Sequence, residues 1–148
     1  MMALCATGVL TGAAYRGLNL IVRNMTGQTI AVASGLYGEP VLRKSLYTLD
    51  VVTKLETIQS LLTVLEGGTY AEPVMRLLMG MHDTIADLQI AMTDSRAKIS
   101  HHRASWLYSW RTVDLATEIE KIQMTMTVLD GQLDTLYKIV NVLHILAP

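Results

Sequence analysis

Ten residues near the C-terminal end restrict this chain more than any other feature. Leu115, Ile119, Ile122, Met126, Leu129, Leu133, Leu136, Val140, Leu143 and Ala147 follow one another in alternating steps of four and three. Steps averaging about 3.5 residues keep one stripe of a helix against a neighbour along its whole length. A strand would need period two, so this segment is helical and must pack against other helices.

Two earlier segments repeat the pattern. Leu42, Leu46, Leu49, Val52, Leu55, Ile58, Leu62 and Leu65 form one series, which the pair Gly67–Gly68 stops at its C-terminal side. Val74, Leu78, Met81, Ile85, Leu88, Met92, Ser95 and Ile99 form the next, with Pro73 just inside its start. The forward phase of this helix reaches His102, Trp106 and Ser109, whereas the backward phase of the last helix reaches Thr112 and Tyr108. One straight helix cannot satisfy both, so a turn is expected in "SHHRAS", with Ser105 as N-cap. A bent continuous helix is the rival.

The expected fold is therefore all-α: an antiparallel bundle of three long helices over 41–66, 72–99 and 105–146. At the helical rise these measure roughly 39, 41 and 62 Å, so the last overhangs its partners by about 20 Å. The overhang carries "KIVNVLHIL", apolar on nearly every side. Ile139, Val142, Ile145 and Leu146 are accordingly candidate contacts for a partner.

Residues 1–40 read as a separate apolar packing or insertion segment, and 41–148 as the bundle. Six of the ten glycines and only two charges, Arg16 and Arg23, lie in 1–38. Alternation at Leu18, Leu20 and Val22 and at Ile30 and Val32, around "NMTG", suggests a short β-hairpin turning at Gly27. A glycine-interrupted helix is the other reading.

Composition removes several classes of function. The chain has 148 residues, 51% hydrophobic and 17% charged, so it can bury a core and is not expected to be disordered. A net charge of −1 gives no electrostatic case for nucleic acid. One cysteine, Cys5, excludes an intrachain disulfide and a thiolate cluster, and favours an intracellular compartment. No basic residue precedes Arg16, so a secretory signal is not expected. Arg16 and Arg23 interrupt the best candidate for a membrane span.

Chemistry-bearing motifs are sparse. His101 and His102 are adjacent and point about 100° apart on a helix, which does not suit a shared metal. His82 and His144 lie far from them. Asp83 with Asp87, and Glu118 with Glu120, read as exposed helix faces rather than acid/base pairs. No nucleophile elbow, zinc-helix motif or phosphate loop is present, and Gly8, Gly12 and Gly17 lack a phosphate-loop lysine. No catalytic residue, metal site or cofactor is expected, and the nine methionines read as core filling.

One cluster stands apart. No acidic residue occurs between Asp94 and Asp114, and in that gap lie Arg96, Lys98, Arg103, Trp106, Tyr108, Trp110 and Arg111. Arginines interleaved with aromatics suit a protein contact or a lipid headgroup interface. Arg103, Trp106, Tyr108, Trp110 and Arg111 are the candidate contact residues, and topology places them beside the N-terminal segment. The function expected is non-enzymatic: a helical bundle docking with protein partners in a larger assembly. A membrane-associated bundle using 1–38 and 103–111 is the alternative.

Overall fold

A computed structural model of the chain describes residues 3–68, 72–105 and 113–146, with side chains over 13–68, 72–105 and 113–143. It is helical almost throughout: α1 (Ala3–Leu36), α2 (Pro40–Leu49), α3 (Val51–Val64), α4 (Glu72–Ala104) and α5 (Ala116–Leu146). No strand occurs among the described residues.

Of the two readings of the N-terminal segment the helix is the one found: α1 is an unbroken 34-residue helix and no hairpin turns at Gly27. Gly27 is not a turn residue; no described glycine has positive φ. A Cβ at Gly27 would lie 3.1 Å from Gln59 Nε2, so the missing side chain lets α1 approach α3. The alternation that suggested strands is the edge of a helix whose buried stripe is polar. Tyr15, Asn19, Val22, Thr26, Thr29, Ala33 and Leu36 are buried, again in steps of four and three. Leu20 and Ile21 are about half exposed.

Apart from Asn19 Oδ1, which is buried without a partner, the polar stripe is hydrogen-bonded. The Tyr15 hydroxyl donates to the Leu65 carbonyl at 2.7 Å, and Asn19 Nδ2 donates to the Leu62 carbonyl at 3.0 Å. These carbonyls lie at or just past the last turn of α3, where a helix has no internal donors left to offer. α1 thus caps the C-terminal end of α3 sideways. Towards α4, the Thr29 hydroxyl meets Gln89 Oε1 at 3.0 Å, and Arg96 donates to the Val32 carbonyl at 3.4 Å.

These contacts fix the topology. Residue numbers rise together along α1 and α4 (Thr29 with Gln89, Val32 with Arg96), so the two run parallel. They run oppositely along α1 and α3, and along α4 and α5, where Lys98 pairs with Glu118 and Gly80 approaches Gln132. α1 and α4 form the closest pair, then α4 with α5 and α1 with α3, while α3 and α5 touch more lightly. The expected three-helix antiparallel bundle is therefore corrected to four helical columns, with α2 and α3 forming one broken column.

The break falls at Asp50, in the left-handed region at φ 53°, ψ 45°. A short polar residue tolerates that conformation better than most. It ends α2 and starts α3 within the expected helix 41–66. Burial consequently steps by five, from Leu46 to Val51, and leaves Leu49 and Val52 half-buried. Every other seam position proposed for this column is buried.

The second expected helix is right in phase and short in length. All eight seam residues from Val74 to Ile99 are buried, and α4 continues to Ala104. The last helix starts at Ala116 rather than 105. Asp114 Oδ1 accepts from the Ala116 N–H at 3.0 Å, filling the capping role expected of Ser105, which instead follows the end of α4. α4 and α5, with 33 and 31 residues, are thus nearly matched at about 50 and 47 Å instead of the unequal lengths expected.

Candidate interaction surfaces

One end of the bundle gathers the loop between α1 and α2, the C-terminus of α4 and the start of α5. Arg103 forks onto Glu39, one guanidinium nitrogen 3.0 Å from Oε1 and the other on Oε2. Lys98 pairs with Glu118 Oε1 at 3.0 Å and donates to the Asp114 carbonyl at 3.2 Å. The Glu118 side chain is only 13% exposed, and the hydrogen bond from Lys98 holds its carboxyl below the ordinary range despite burial. This end is closed by charge pairs within the chain.

Of the candidate contact residues at this end, Arg103 sits here and is engaged with Glu39, with its guanidinium still half exposed. Trp106, Tyr108, Trp110 and Arg111 lie outside the described residues. At the other end of α5, Ile139 is half-buried and Val142 is 54% exposed. Ile145 and Leu146 lie outside the residues whose side chains are described, although α5 runs through them.

The described residues contain no group of three or more histidines, cysteines and carboxylates positioned for a metal. Asp83 lies beside His82, 3.3 Å from Nδ1, on an exposed face. Nothing places a nucleophile against a base there. No helix among the described residues is long and apolar enough to cross a membrane.

An exposed apolar feature lies on the outer side of α4 and α5. An open cleft of about 300 Å³ lies between them, lined by Asp87, Ile90, Ala91 and Asp94 from α4 and by Lys121, Met124 and Thr125 from α5. Ile90 and Met124 are 59% and 63% exposed. Val128, one turn beyond Met124, is similarly exposed. A second depression between α1 and α3, lined by Leu20, Arg23, Asn24, Gln59, Ser60 and Thr63, is polar and open. Arg23 is held there by Glu66 at 2.8 Å.

Sequence reasoning passed over the α4–α5 cleft because it followed the seam. Ile90 and Met124 stand off the buried phase, and large apolar residues at such outward positions were the signal available. The buried residues Tyr15, Asn19, Thr26 and Thr29 gave no hydropathy signal.

No family model matches the chain, and neither a curated protein nor a solved structure matches it.

Proposed function

We propose that this chain is a non-catalytic structural or assembly protein, a helical bundle that docks through its outer faces into a larger complex. The observation that carries the reading is the set of exposed large apolar side chains on α4 and α5: Met79, Ile90, Met124, Val128 and Val142. Scattered apolar residues are ordinary on a soluble surface, but Ile90 and Met124 meet around one cleft, with Val128 one turn beyond, and such a cluster marks a contact.

The test is native mass. In an extract of the cells that make it, the chain should sediment in a particle well above its own 16.3 kDa. Migration as a lone chain, both in extract and when purified, overturns the reading.

A second reading, binding at a membrane surface, draws on Leu20 and Ile21. They are exposed on a helix that carries only Arg16 and Arg23 as charges. Liposome flotation of the full chain against Ile21→Asp tests it; flotation unaffected by the substitution, or none at all, sinks it.

A further inference from the structure

We infer that the outer face of α4 and α5 is the interface for a second copy of this chain, related by a two-fold axis parallel to the helices. The inference deepens the assembly reading and rests on it.

The face is built from two helical lines. On α4, Met79, Asp83, Asp87, Ile90 and Asp94 recur on the outward side; on α5, Lys121, Val128 and Val142 share a heptad line, with Met124 beside it. Lys98 with Glu118, and Gly80 with Gln132, fix which residues of these antiparallel helices share a level. By that register Ile90 lies level with Met124, and Asp94 with Lys121, in agreement with their lining one cleft.

A two-fold axis along the helices keeps each residue at its level while exchanging α4 for α5. Ile90 of one copy then meets Met124 of the other, and Asp94 of one copy faces Lys121 of the other, each contact made twice. Asp87, Asp94 and Lys121 make no ion pair within the chain among the described residues. Asp94 and Lys121 therefore each find an opposite charge in the second copy.

Area is sufficient. From the level of Asp94 and Lys121 to that of Val142 the face is about 32 Å long, and two helices side by side are about 18 Å across. That is roughly 600 Å² per copy and 1,200 Å² in all, at the lower end of stable interfaces. A lipid surface fits less well, because Asp83, Asp87 and Asp94 all stand on the face.

Sedimentation velocity of the purified full chain over a micromolar concentration series tests the inference. A monomer–dimer equilibrium is expected, weakened about tenfold or more by Met124→Asp and by Ile90→Asp, as for central apolar contacts. Both sites are exposed, so helicity should stay unchanged, and so should the thermal midpoint at concentrations where the wild-type chain is monomeric. Lys121→Asp should also weaken the dimer, and Asp94→Lys in the same chain should restore it. A dimer indifferent to all these changes overturns this face as the interface. A purified monomer that still sediments in a larger particle in extract overturns self-association and leaves the assembly reading standing. A monomer in both overturns both.

Discussion

α1 and α4 lie side by side, run the same way and bury residues with the same period, yet they are built from different chemistry. The α4 stripe is Val74, Leu78, Met81, Ile85, Leu88, Met92, Ser95 and Ile99; the α1 stripe is Tyr15, Asn19, Val22, Thr26, Thr29, Ala33 and Leu36. α4 is held by burial of large side chains. α1 is held by fewer apolar atoms and by hydrogen bonds that work only at one register, with Asn19 on the Leu62 carbonyl and Thr29 on Gln89. Non-directional burial gives strength, whereas buried polar contacts select one alignment and are expensive to mismatch. Period belongs to the packing geometry, while residue type decides what the packing is worth.

Substitutions should separate the two helices. The largest losses are expected in the apolar seam: Leu88→Ala in α4 and Leu129→Ala in α5 should each lower unfolding free energy by about 2–5 kcal/mol, as truncated buried leucines do. Denaturant titration checks this, and a change within about 0.5 kcal/mol would show that the seam is not the main source of strength.

Next comes Asn19→Leu. Hydropathy alone predicts a gain from placing leucine in a buried stripe. Loss of the bond to the Leu62 carbonyl predicts the reverse, a loss of about 1–3 kcal/mol from a stranded acceptor. The sign of the measured change decides between them.

Thr26→Val is a milder probe. The Thr26 hydroxyl donates only to the Val22 carbonyl of its own helix, a group already served by the helical ladder. No acceptor is stranded, so the change should stay within about 0.5 kcal/mol of zero. A large loss would mean that α1 needs every polar group in its stripe.

The smallest effect concerns pH. Glu118 is held below its ordinary value of 4.5 by Lys98. A carboxyl with a lowered folded pKa adds stability that is present above its unfolded pKa and is lost as pH falls through the folded value. The α4–α5 contact should therefore weaken on acidification below about 4.5, and Lys98→Met should flatten that slope. The neutral α1–α3 contacts at Tyr15 and Asn19 should show no such step, which hydrogen exchange of the two helices can read separately.

What the sequence made legible follows from the same contrast. The α4 seam was readable in full because its buried positions are almost all large and apolar, and the stop before Gly67–Gly68 was readable from composition. α1 was not, because Asn19, Thr26 and Thr29 erase the hydropathy period that their burial obeys. The Asp50 break was hidden for another reason: a left-handed aspartate changes one dihedral pair and leaves the surrounding leucines near the expected phase. The α5 start was misplaced because Ser105 and Asp114 both suit a cap, and only Asp114 accepts the Ala116 N–H. Of the candidate surfaces, Val142 was readable from an apolar helix end. The Ile90–Met124 cleft required knowing which outward faces of two helices lie together.

The parallel pairing of α1 with α4 also sets an order of events during synthesis. α1 leaves the ribosome first, but the Gln89 that meets Thr29 is 60 residues further along. At about 5–20 residues per second, α1 waits roughly 3–12 s for its neighbour. Its polar stripe suits that interval, since a nascent helix presenting Asn19, Thr26 and Thr29 offers fewer sticky contacts than one lined with leucine. A helix whose contact with α4 forms late gains by keeping the waiting surface wettable.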